Sequence, residues 1–159
     1  MQLSAHFTLA EFTLSETAAR MGVDNTLPDD LLPAAIATAE MLERIREFLG
    51  VRAGKVCRMP ITSGYRCMSL NLAVGSSSTS DHPWARAADW SSPDFGRVIE
   101  VCRALAPNVS TLGIGQLIYE NPSPGRVWVH TGTRIPDNPA NRIISILPGR
   151  RTVVGIVEV

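Results

Sequence analysis

The sequence has no surplus of charge. Fifteen Lys and Arg residues balance 15 Asp and Glu residues over 159 positions. A chain without a basic excess has no bulk attraction for nucleic acid or an acidic membrane surface, so neither is expected as a partner. No apolar run approaches the roughly 18 residues that a membrane-spanning helix requires. Residues 1–8 lack a basic stretch followed by a long apolar one, so no secretory signal is expected and the chain should be made in the cytoplasm. Cysteine is scarce: Cys57, Cys67 and Cys102 form no C-x-x-C pair. That argues against a disulfide framework and a zinc-cysteine cluster, and leaves free, mostly buried thiols suited to synthesis in a reducing compartment. Aromatics are few, at 6%, and repeats and low-complexity tracts are absent. What remains is 45% hydrophobic residues against 19% charged. Such a chain buries enough apolar surface to offset the entropy of ordering, and its length fits one domain over residues 1–159.

Helical patterns come first along the chain. Thr8 and Glu11 form a capping box, and residues 15–20 read as a second short helix closed by Gly22. Residues 28–49 carry an apolar stripe of Leu32, Ile36, Ala39, Leu42, Ile45 and Leu49, with Gly50 as the stop. Residues 67–74 form a further candidate helix, and 94–105 an amphipathic one with Val98, Val101, Cys102 and Leu105 inward. Short strand-like segments lie at 58–62 and 86–91, flanking a polar loop at 75–80. Four strands are predicted after them, at 115–119, 127–131, 142–147 and 152–157. Helices early and strands late predict an α+β fold: an antiparallel sheet of about four strands with helices packed on one side.

Histidine is the informative residue. Only His6, His82 and His130 occur. His82 precedes Asp89 by seven residues. Read with a strand period, Ala85, Ala87 and Asp89 share one face, and the alanines leave room beside the carboxylate. Trp128 and His130 likewise share a face, with Val127 and Val129 on the other. A His-Asp-His set leaves an open fourth position on a tetrahedral zinc, where the ion lowers the pKa of water and polarises a carbonyl. Spacing alone does not separate such a site from ordinary satisfied polar groups. His6, in the entry segment, reads as structural.

The run Ser80-Asp81-His82-Pro83-Trp84-Ala85-Arg86-Ala87-Ala88-Asp89 resembles the Ser-x-His-x-x-Gly-x-Ala-x-Asp motif of the zinc D-alanyl-D-alanine carboxypeptidase and murein endopeptidase family. Trp128-Val129-His130 is similar to that family's second signature. An ordered series agrees with its phage endolysin-like branch, from about residue 4 to the mid-140s. It comprises His6 to Phe12, Gly22 to Asn25, Ile61 to Arg66, Leu70 to Gly75 and Gln116 to Glu120. The resemblance implies zinc held by His82, Asp89 and His130. It implies that Arg66 grips a substrate carbonyl or carboxylate, as a permanently charged fork of donors can, and that Ser80 donates a hydrogen bond to substrate. The implied activity is zinc-dependent hydrolysis of a peptide bond in peptidoglycan stem peptides or cross-links by a monomer acting on the cell wall or carried in a virion. The alternative is a non-catalytic, zinc-containing wall-binding or virion module of the same fold.

Three positions depart from the pattern. The motif glycine is Ala85, a change expected to be tolerated. The residue before the first ligand, often Gln, is Asp81. Many relatives place an acid or His three residues before the last ligand, where this chain has Val127. Glu120 is the candidate general base in its place, with Asp81 as a lesser one. A hairpin turning over residues 121–125 would set Glu120 near Arg126, about 13 Å along the strand from His130. That distance is too long for direct proton transfer and would suit a structural acid paired with Arg126. Trp84 and Trp90 flank the motif and read mainly as core.

Overall fold

In a computed structural model, which describes residues 1–158, the N-terminal half supplies helices and the C-terminal half a sheet. Helix α1 (Leu9–Thr13) opens on the expected capping box: the Glu11 N–H donates to Thr8 Oγ1 at 3.3 Å and the Thr8 N–H to Glu11 Oε2 at 2.8 Å. Helix α2 (Glu16–Met21) is capped by Ser15 and stopped by left-handed Gly22. His6 ties the entry segment down through its backbone N–H and Nδ1, both on the Glu43 carboxylate, which confirms a structural role.

The long helix α3 is Leu32–Ala53, shifted towards the C-terminus from the 28–49 expected. Residues 29–31 form a separate 3-10 turn. Gly50 lies inside the helix, because Gly54 takes the left-handed conformation and donates to the Gly50 and Val51 carbonyls. Ala35, Ala39, Leu42, Ile45 and Leu49 are buried on one stripe. Each large aliphatic side chain there contributes about 1.5–3 kcal/mol of burial.

The sheet comprises β1 (Ile61–Ser63), β2 (Ala87–Trp90), β3 (Gln116–Ser123), β4 (Arg126–Gly132), β5 (Ile143–Leu147) and β6 (Arg151–Val154). Their order is β1-β2-β4-β3-β5-β6. This corrects the expected sheet of about four strands. The two short segments at 58–62 and 86–91 also join it, as β1 and β2. The sheet is mostly antiparallel, but β3 and β5 run parallel. The segment between β4 and β5 returns the chain to the start of β3, where the Gln116 amide donates to the Asn141 carbonyl at 2.8 Å.

Alternation of side chains across the strands decides the rest. Ala88, Trp90, Leu117, Tyr119, Val129 and Leu147 point to one face and share a core with α3 and with Val101, Cys102 and Leu105 of α5 (Val98–Leu105). Trp90 is fully buried, its indole N–H donating to Thr131 Oγ1 at 2.9 Å. The opposite face carries Asp89, Trp128, His130 and Glu120. The three cysteines are free, with Cys57 and Cys102 buried.

Candidate metal centre and active site

Asp89 on β2 and His130 on β4 are directly paired in register, so both side chains rise from the same face. His82 reaches them from a 3-10 turn, His82–Trp84, that ends the loop after α4 (Met68–Ala73). Two contacts lace this turn to the loop after β1. The Arg66 backbone N–H donates to the His82 carbonyl at 3.3 Å, and His82 Nδ1 stands 2.6 Å from the Gly64 carbonyl. Gly64 allows this, since a Cβ there would lie 2.7 Å from the Phe12 backbone.

Ala85 closes the turn rather than opening the strand. Its φ of 53° is left-handed, so the reading that placed it on the face of Ala87 and Asp89 is corrected. Its N–H donates to the His82 carbonyl at 3.1 Å, its carbonyl accepts from buried Thr38 Oγ1 at 2.8 Å, and it is packed in the core.

The three buried side chains converge. His82 Nε2 lies 3.2 Å and His130 Nδ1 2.8 Å from the same oxygen, Asp89 Oδ1. One ligand atom from each falls within 4.8 Å of the other two, so the set could hold a metal ion. The donor chemistry fits: two imidazole nitrogens and a carboxylate oxygen, with the His82 Nδ1–H donating to the Gly64 carbonyl and freeing the Nε2 lone pair. Burial opposes a charge on Asp89, yet His82 and His130 outweigh it and hold the carboxyl well below the usual carboxylate range. Burial pushes His82 down; it opposes a proton on His130 too, but Asp89 and Glu120 hold that residue up.

Glu120 is where the sequence-based distance fails. The hairpin is tighter than expected, turning at Pro124-Gly125 with Ser123 opposite Arg126, and a bulge lies between Glu120 and Ser123. Glu120 therefore faces Trp128, not Arg126, and its Oε1 lies 3.9 Å from His130 Nδ1. Burial, reinforced by the charge of Asp89, pushes its carboxyl up to about 7. Val127 lies on the opposite face of β4 and is exposed, so in this register no side chain at that position reaches the centre.

Arg66 is mostly buried, with one guanidinium nitrogen 3.9 Å from Asp89 Oδ2 and a buried Nε that has no partner. Burial lowers its pKa against the pull of Asp89 and Glu120. A second buried donor without a partner is the Trp128 indole N–H. Such orphans in a folded protein call for an explanation, and a ligand is one. Ser80 Oγ accepts from the His82 N–H at 3.3 Å, which leaves the hydroxyl proton free to donate. Asp81 pairs with Arg134, with 2.7 Å between Oδ1 and Nε. Trp84 is 52% exposed, so it is not the core residue expected.

The sequence profile of the peptidase M15 family matches residues 5–121. The chain belongs to the peptidase M15 family. This is the zinc D-alanyl-D-alanine carboxypeptidase family indicated by the resemblance above. No curated protein sequence matches the chain significantly. The matched stretch holds Arg66, Ser80, His82, Asp89 and Glu120, while His130 arrives from β4 beyond it. In this M15 member the Gly64 carbonyl supports His82, and Trp128 lies on the same sheet face as His130, opposite Glu120, with its indole N–H unpartnered. Sequence reasoning put Trp128 on the His130 face but gave its indole no role, since an orphaned donor is visible only once its surroundings are known, and it had no signal for the Gly64 carbonyl, since any residue offers one.

Proposed function

We propose that this protein is a zinc-dependent peptidoglycan peptidase that hydrolyses a peptide bond in the stem peptide or cross-link, in the manner of the endolysin-like branch. The observation carrying this reading is the convergence of His82, Asp89 and His130 with the Glu120 carboxylate 3.9 Å from His130. His82, Asp89 and His130 would hold a zinc ion, which would supply Lewis acidity to polarise the scissile carbonyl.

The chain's own groups do the rest. Arg66 orients the substrate through the scissile carbonyl oxygen or a neighbouring carboxylate, using donors that have no full partner within the protein. As water adds to the scissile carbonyl carbon, Glu120 takes its proton, and it then delivers that proton to the amine nitrogen as the C–N bond breaks. The mostly buried Glu120 carboxyl, 3.9 Å from His130 Nδ1, is placed at the centre for both transfers. Arg66 then faces the negative charge that develops on the carbonyl oxygen, where a fixed cation contributes most. Ser80 donates to the peptide beside the scissile bond.

Mass spectrometry of purified peptidoglycan incubated with the zinc-loaded protein tests this reading. Released muropeptides identify the bond cut, and Glu120→Gln should release at least tenfold less while retaining zinc. A fully zinc-loaded wild type that releases nothing would favour the non-catalytic wall-binding module instead.

A further inference from the structure

The loop at residues 75–81 leads into His82 and carries Ser80. It is built from Gly, Ser and Thr up to Asp81, is largely exposed, and has no apolar side chain to anchor it. Few buried contacts make a segment prone to local opening. Two arginines from the C-terminal third hold it at its two ends. At one end Arg150, in the turn between β5 and β6, donates to the Gly75 carbonyl at 2.6 Å. At the other, Arg134, just after β4, donates to the Thr79 carbonyl at 3.3 Å and places Nε 2.7 Å from Asp81 Oδ1.

The local backbone is shaped for these contacts. Arg150 sits at φ 60°, a left-handed conformation that costs a non-glycine residue about 1 kcal/mol. Strain of this kind persists where surrounding structure over-determines it, commonly near functional sites. Gly75 has φ 70°, and a Cβ there would lie 3.2 Å from the Arg150 guanidinium, so the missing side chain admits the arginine. Both arginines lie outside the stretch that the family profile matches.

We infer that Arg134 and Arg150 are positioning residues, a two-point clamp that fixes the 75–81 loop and through it Ser80 and His82. The inference rests on the proposed peptidase activity for its catalytic consequence, but its structural part stands without it. Hydrogen bonds from a charged donor to a carbonyl are stronger than neutral ones, so two of them can hold a loop this short.

The test is hydrogen exchange on the full-length protein, wild type against Arg134→Ala, Arg150→Ala and the double variant. The double variant should exchange the amides of residues 76–82 at least tenfold faster, with amides of β3 and β4 unchanged and the melting temperature within about 2 °C. Muropeptide release should fall at least tenfold through kcat; Arg150→Lys should recover most of its share, since that contact is single, whereas Arg134→Lys should recover less, since Arg134 reaches both the Thr79 carbonyl and Asp81. Unchanged exchange at 76–82 overturns the clamp. So does faster exchange spread equally through the sheet, which would mark a general structural role. If exchange responds as stated while wild type releases no muropeptide, the peptidase reading fails and the clamp stands. If wild type is active and exchange does not respond, the clamp alone fails.

Discussion

Replacing Ala85 by glycine sets three terms against one another. The left-handed backbone at φ 53° costs alanine about 1–2 kcal/mol relative to glycine, and the substitution recovers this. Against it stands a fully buried methyl group, whose loss costs about 0.8 kcal/mol. The freer glycine chain adds about 0.5–1 kcal/mol to the entropy lost on folding. These nearly cancel, so Ala85→Gly should change unfolding free energy by less than about 1 kcal/mol, or roughly 2–4 °C in melting temperature for a chain this size. The hydrogen bonds at this position run through the backbone and survive. Urea denaturation with zinc measured alongside is the assay. Ala85→Val supplies the contrast: a β-branched side chain at positive φ in a packed core should cost over 3 kcal/mol, since strain and overpacking add. A loss above about 2 kcal/mol for Ala85→Gly, or a change in zinc content, would refute this account and show that the methyl group shapes the centre.

Zinc at a hundredfold excess over its dissociation constant should raise the melting temperature by about 5–10 °C, from roughly 2.7 kcal/mol of linkage. Asp89→Asn should abolish that rise, and a retained rise would place the ion elsewhere. Arg66→Ala should lower hydrolysis a hundredfold or more, about 3 kcal/mol in the transition state. Its melting temperature should stay within a few degrees, because the cation is already desolvated with Nε unpaired; a large loss of stability with activity kept would make Arg66 structural. In chelator-treated protein, Glu120 titrates at about 7 when folded, above its unfolded value, so its contribution to stability is full below about pH 4 and lost as pH rises through 7. Urea denaturation from pH 4 to 8 should show this decline in wild type and a smaller one in Glu120→Gln, whereas parallel curves would show that Glu120 is not perturbed.

The convergence of His82, Asp89 and His130 was legible because strand alternation and family motifs act on residues one at a time. Asp89 and His130 needed only a face, and His82 only its place in the motif. The helix caps at Thr8 and Gly22 were legible for the same reason, being set by neighbours within four residues. Glu120 was misplaced because its distance to His130 depends on one bulge and a two-residue turn, a register choice that composition does not encode. The parallel pairing of β5 with β3 is a long-range decision of the same kind. Ala85 looked like a strand residue because alternation continues through it. Its left-handed turn follows from closing the His82 turn against Thr38, 47 residues away. The contacts of Arg134 and Arg150 span 55 and 75 residues and had no local signal at all.

Strand β3 has a neighbour on each side, β4 and β5, so Glu120 rides on the interior of the sheet. Its backbone can move only if pairing breaks on both flanks, an opening close in cost to unfolding the domain. The loop at 75–81 on the other side of the centre is made of small residues, held by Arg134 and Arg150 and by buried Asn71, whose side-chain amide donates to the Ser77 carbonyl at 3.2 Å. The centre is thus hard on one side and adjustable on the other. Substitutions in the loop or at its two anchors can remould what fits against Ser80 while the Glu120 carboxylate stays where the sheet puts it. Divergence in substrate preference should therefore collect at positions 75–81, 134 and 150, and spare β3.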